Sequence, residues 1–148
     1  MNSPSEILSL AAQRAIAKSS PYTGELAPKE VFEVLQQEPA AVLVDVRTKA
    51  ELELVGKIPG AINIEWAFYP GMVPNTDFVT QLLSQVDKNL TVVFMCRTGG
   101  RSHNAAMLAQ QLGYKAYNML EGFEGETNAL KQRTQMSGWK HAGLPWTN

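Results

Sequence analysis

The chain holds one cysteine, Cys96, and the six residues after it, Arg97, Thr98, Gly99, Gly100, Arg101 and Ser102, are types that act on sulfur and on anions. Ahead of it, Thr91 to Met95 (TVVFM) is an apolar, β-branched run that reads as a buried strand. Behind it, Ser102 to Leu112 puts Ala105, Ala106, Leu108, Ala109 and Leu112 on one helical face. The order is strand, cysteine, tight loop, helix. Glycine allows positive φ and close backbone approach, so Gly99 and Gly100 let the loop turn its N–H groups toward one point. Those amides, the positive end of the helix and the two arginines all favour thiolate over thiol, and the thiolate is the nucleophile. The same donors suit the outer sulfur of a persulfide, which is also an anion. A buried structural cysteine needs neither the glycines nor the arginines.

The neighbouring residues divide between chemistry and support. Guanidinium forks match oxyanions, so Arg97 and Arg101 are candidates for the sulfonate end of a donor such as thiosulfate, with Arg97 the more exposed and Arg101 shared with the loop. Thr98 either offers its hydroxyl to the sulfur or is simply a loop residue. Ser102 reads as the N-cap of the following helix. Asp45 is expected to pair with a loop donor or an arginine, and Arg47 with Glu51, four residues on, as an ion pair at a helix start. His103 reads as a surface residue in the first helical turn, where the dipole opposes its protonation. Trp139 and Trp146, beside Gly138 and Pro145, are expected to pack in the core and over it.

Such a loop needs a scaffold, and the rest of the chain supplies one. Ala41-Val42-Leu43-Val44 is a second continuous run of the kind buried on both faces of a parallel sheet, and Ala116 to Met119 reads as another strand. Ahead of them, Pro28 starts a helix through Val31, Val34 and Leu35 that Pro39 stops. Thr48 and Glu51 form a capping box for a short helix ending at Gly56, Ile58 to Ile64 gives a turn and a short strand, and Thr76 is the expected cap of a helix carrying Phe78, Leu82, Leu83 and Val86. Gly113 is placed to end the helix after the loop. Strands alternating with helices predict a doubly wound α/β parallel sheet whose ligands sit beyond the carboxyl ends of the strands, where Cys96 lies. Ser3-Pro4-Ser5-Glu6 starts a further short helix. The turn-rich Ser19 to Gly24 separates this N-terminal helical extension, residues 1–21, from the main domain, residues 22–148.

Bulk properties narrow the function. The 148 residues are 45% hydrophobic and 18% charged, enough for one folded domain with a core. With 13 Lys and Arg against 14 Asp and Glu, no basic field exists for nucleic acid or anionic lipid. One cysteine and two histidines are too few for a four-ligand zinc site, and no organic cofactor is implied. A lone thiol, no convincing signal peptide and no stretch of membrane-spanning length predict a cytoplasmic protein.

These segments resemble a known family. CRTGGRS, residues 96–102, is similar to the rhodanese active-site loop. Asp45-Val46-Arg47 with Glu51, and Gly56-Lys57-Ile58-Pro59-Gly60-Ala61, resemble its upstream signature of D-x-R, then E, then G-H-I-P-G-A. Glu121-Gly122-Phe123, Gly138-Trp139 and Ala142-Gly143-Leu144-Pro145 resemble its C-terminal signature. Lys57 stands where the family usually has histidine, and Gly125 to Ser137 widens the gap between the last two motifs. The resemblance implies a parallel sheet of about five strands with helices on both faces. It also implies transfer of sulfane sulfur from thiosulfate or a related donor, through a Cys96 persulfide, to cyanide, a small thiol or a thiol-bearing protein. Two rivals stay open: a cysteine phosphatase or arsenate reductase, and a non-catalytic binding module of the same fold. In the phosphatases five residues separate the cysteine from the arginine, whereas Arg97, Thr98, Gly99 and Gly100 alone stand between Cys96 and Arg101.

Overall fold

The computed structural model describes residues 2–148. Local signals set most of the elements. Ser3 accepts a hydrogen bond from the Glu6 N–H and starts α1 (Pro4–Lys18), which buries Ile7, Ala11 and Ala15. β1 (Gly24–Leu26) follows, then α2 (Pro28–Gln37), β2 (Ala41–Asp45) and α3 (Lys49–Val55), the last opened by the reciprocal Thr48 and Glu51 capping box. β3 (Ile62–Asn63) is short, and β4 (Ala67–Phe68) and β5 (Val73–Pro74) form a separate antiparallel hairpin. α4 (Phe78–Gln85), β6 (Thr91–Met95), α5 (Gly100–Gln111) and β7 (Lys115–Met119) complete the order.

Five strands form one sheet in the order β1-β7-β6-β2-β3, and every pairing is parallel. The central strand is β6, so its carboxyl end lies at the middle of the sheet edge where ligands of such folds collect. Because side chains alternate along a strand, β6 feeds two cores. Val92, Phe94 and Cys96 join Phe78, Leu82, Ala105 and Ala109 beneath α4 and α5, while Val93 and Met95 join Ile7, Ala11, Val31 and Val34 beneath α1 and α2. Each of the large aliphatic and aromatic side chains so buried contributes about 1.5–3 kcal/mol. Cys96 therefore faces α5, the helix that its own loop begins.

Three local expectations are corrected. Asp77, not Thr76, is the N-cap of α4, because Asn75 takes the Asp77 N–H at 3.0 Å in a turn that sets the helix start one residue later. α5 begins at Gly100, with Gly99 at φ 117 as its N-cap, so Ser102 is buried inside the first turn rather than capping it. Of the two loop glycines only Gly99 has positive φ, and a Cβ on Gly100 would meet open space. Gly113 takes φ 98 just after α5, as its position suggested.

Candidate active site

Cys96 is 1% exposed at the end of β6. Its sulfur accepts a hydrogen bond from the Gly99 N–H at 3.1 Å and lies 3.4 Å from Ser102 Oγ. The amide bond is the feature that the glycine at φ 117 makes possible, since the backbone must double back on itself within three residues. An N–H donor on sulfur supports negative charge there, and the N-terminus of the twelve-residue α5 adds to it. Arg97 and Thr98 are exposed above the sulfur, and Gly100 is exposed beside them. Arg97 pairs through Nε with Glu124 at 3.3 Å.

One ion pair ties the loop to α3, and a second is buried near it. Arg101 makes a bidentate contact with Glu51, at 2.7 and 2.9 Å, tying the first turn of α5 to the first turn of α3. Burial alone would push the Glu51 carboxyl up, but the hydrogen bonds from Arg101 and Thr48 outweigh it and bring it down to about 2. Asp45 and Arg47 form the second pair, 2.7 Å apart and 1% and 0% exposed. The Arg47 guanidinium also donates to the Gly56 carbonyl at 3.0 Å and lies 4.2 Å from the centre of the Phe123 ring. The expected Arg47–Glu51 pair does not form: Arg47 turns inward to Asp45, and Glu51 serves Arg101 instead. The expectation for Asp45, pairing with an arginine, matches this arrangement.

The segment after β7 clamps the loop from the other side. Phe123 N–H donates to the Cys96 carbonyl at 2.9 Å and Glu124 N–H to the Arg97 carbonyl at 3.0 Å. Gly122 makes this possible, because a Cβ there would sit 2.4 Å from the Arg97 carbonyl oxygen. Trp139, 1% exposed, donates its backbone N–H to Gly122 and its indole N–H to the Pro145 carbonyl. Trp146 is 43% exposed and lies against Gly56 and Lys140. Lys57 bridges to Thr147 through backbone bonds.

Sequence reasoning missed Tyr22 and Asn118. Asn118, 4% exposed in β7, accepts the Ser102 hydroxyl proton at 2.6 Å, and its amide nitrogen lies 3.4 Å from the Tyr22 hydroxyl. Tyr22 in turn contacts His103 Nδ1 at 2.7 Å. The available signal was a polar residue inside an otherwise apolar strand, since a buried amide needs partners.

Comparison with known proteins places the fold. Residues 28–129 match the family model described as the rhodanese-like domain. An uncharacterised protein of Rickettsia conorii is 37% identical over 120 residues, covering 79% of this chain and 91% of that protein. A protein of Allochromatium vinosum named sulfurtransferase is 30% identical over 104 residues, 70% of this chain and 76% of its own length. The crystal structure of Rv0390 from M. tuberculosis superposes with a TM-score of 0.78 at 37% identity, covering 84% of this chain and 97% of that one. The buried Asp45–Arg47 pair, the doubled-back cysteine loop and the glycine clamp behind it thus stand on a shared scaffold, and the chain belongs to the rhodanese-like family.

Proposed function

We propose that this protein is a sulfurtransferase that carries sulfane sulfur as a persulfide on Cys96. The observation that carries the reading is the Cys96 sulfur, set at the end of the central strand with the Gly99 N–H 3.1 Å away and α5 beginning just above it. The Cys96 thiolate attacks the outer sulfur of thiosulfate or another sulfane donor. A new S–S bond forms, the old one breaks, and sulfite leaves with the electron pair. The outer persulfide sulfur, now the anion, takes over the inward-facing donors. A thiophile then attacks that sulfur: cyanide leaves as thiocyanate, or a small thiol or protein thiol becomes the new persulfide, and the Cys96 thiolate is restored. Arg97 is the substrate ligand for the sulfonate, Thr98, Gly99 and Gly100 shape the cradle, and Arg101, Ser102, Asp45 and Arg47 hold it. The reaction needs no metal or organic cofactor and suits the reducing cytoplasm.

Loop length favours sulfur over phosphate. Donors must lie about 2.7–3.2 Å from the atom they bind, so a loop with four residues between Cys96 and Arg101 closes on a smaller anion than one with five. Kinetics with thiosulfate and cyanide, run beside hydrolysis of an aryl phosphate, test the assignment. The expected result is Cys96-dependent thiocyanate formation and negligible phosphate release, with sulfur transfer weakened when one glycine is inserted after Gly99. Efficient Cys96-dependent hydrolysis of the aryl phosphate by the intact chain would overturn it.

A further inference from the structure

A line of polar side chains runs from the Cys96 sulfur along the α5 face of the sheet to Tyr22 and back to His103 in the first turn of α5. Ser102 Oγ lies 3.4 Å from the sulfur and 2.6 Å from Asn118 Oδ1. Asn118 Nδ2 lies 3.4 Å from both the Tyr22 hydroxyl and the Gly99 carbonyl, and the Tyr22 hydroxyl lies 2.7 Å from His103 Nδ1. A serine has one proton to give, and the amide oxygen of Asn118 can only accept. With Asn118 Oδ1 at 2.6 Å and the Gly99 carbonyl at 3.2 Å, the Ser102 proton goes to the nearer Asn118, its lone pair faces the sulfur, and this order suits a thiol donating to Ser102. Onward, Asn118 donates to Tyr22, and Tyr22 donates to an unprotonated Nδ1.

A thiolate needs the opposite order. Ser102 must then donate to the sulfur, which deprives the buried Asn118 oxygen of its donor. Turning the amide over lets Nδ2 donate to Ser102 and Oδ1 accept from Tyr22, provided that Nδ1 of His103 carries a proton and donates to the Tyr22 oxygen. The Gly99 carbonyl keeps the His103 backbone N–H at 3.1 Å in either case. We propose that Tyr22, Asn118 and His103 are positioning residues for Cys96, forming a hydrogen-bond chain whose direction decides whether Ser102 accepts from the thiol or donates to the thiolate. The inference rests on Cys96 being the nucleophile.

The surroundings supply the bias. Burial keeps the Tyr22 proton in place by pushing its hydroxyl up. His103 stands at the start of α5 and within electrostatic reach of the Glu25 carboxylate of β1. Burial would push the Glu25 carboxyl up, but hydrogen bonds from Lys18 of α1 and from Ser20 bring it below its ordinary value. Cys96 faces Arg101 of α5, which Glu51 of α3 holds and whose field Asp45 of β2 also shapes. A proton on Nδ1 of His103 turns the chain toward the sulfur and so favours the thiolate, which a broken chain cannot do.

Thiolate absorbance against pH, with Cys96→Ser subtracted as the blank, reads this without any sulfur donor, so the result stands apart from sulfur transfer itself. Tyr22→Phe keeps the ring and removes only the hydroxyl, and His103→Ala removes the far end. Each is expected to move the thiolate midpoint upward by about tenfold in proton affinity, and the double variant to move it no further than either single, as for one chain cut twice. The reciprocal reading is the imidazole nitrogen resonance of His103, assigned with His141→Gln, whose titration is expected to change in Cys96→Ser. Unmoved midpoints in both single variants, fully additive shifts in the double, or a His103 titration indifferent to Cys96 would each overturn the proposal.

Discussion

At the sulfur of Cys96 two hydrogen bonds pull in opposite senses: the Gly99 amide supports an anion, while Ser102, with its proton on Asn118, supports a thiol. In the proposed reaction Cys96 cycles between thiol, thiolate and persulfide, and such a balance serves it better than permanent ionisation. Arg97 stands outside it. Its side chain is 45% exposed and its partner Glu124 is 3.3 Å away, so the guanidinium is free to exchange a carboxylate for a sulfonate. Replacing Arg97 with Ala should raise the thiosulfate KM by roughly tenfold, the worth of one charged hydrogen bond, and leave the second half-reaction with cyanide nearly unchanged. Separate measurement of the two half-reactions checks this, and equal losses in both would mean that Arg97 supports the loop instead.

At the scale of elements, the loop is built between β6 and α5 and then fixed by the segment after β7. Gly122, at φ 70 and pressed against the Arg97 carbonyl, is the tightest point of that clamp. Gly122→Ala is expected to destabilise the fold by more than about 1 kcal/mol, because alanine resists positive φ, and to lower sulfur transfer beyond what lost stability explains. Urea unfolding and initial rates on the folded fraction measure the two effects. The caps at Ser3 and Thr48, the strands around Val44 and Phe94 and the cysteine loop were legible in the sequence, since each depends on neighbours within a few residues. What was not legible depends on pairs brought together from a distance. Arg47 turns to Asp45 while Gly56 and Phe123 meet its guanidinium and Arg101 takes Glu51, and Asn118 meets Ser102 because β7 lies beside β6. The β4–β5 hairpin carried no periodic signal long enough to show.

At the scale of the whole molecule, α1 covers the β1 side of the sheet, α3 reaches the loop through Glu51, and the C-terminal segment closes over Arg47 with Phe123 and Trp139. The Glu51–Arg101 pair gives this assembly a pH signature. A carboxyl held at about 2 in the folded chain, against about 4.3 unfolded, contributes stability that is complete above the unfolded value and is lost as pH falls toward 2. Glu51→Gln should therefore be less stable than the parent near neutrality, with the difference shrinking between about pH 4 and pH 2, as followed by thermal unfolding across that range. The central claim, that this scaffold exists to carry one sulfur atom on Cys96, is tested most directly by the intact mass of the protein after exposure to thiosulfate. The mass is predicted to rise by one sulfur atom, to return on addition of cyanide, and to stay constant in Cys96→Ser; an unchanged mass at saturating thiosulfate and other sulfane donors, or the same rise without Cys96, would contradict it.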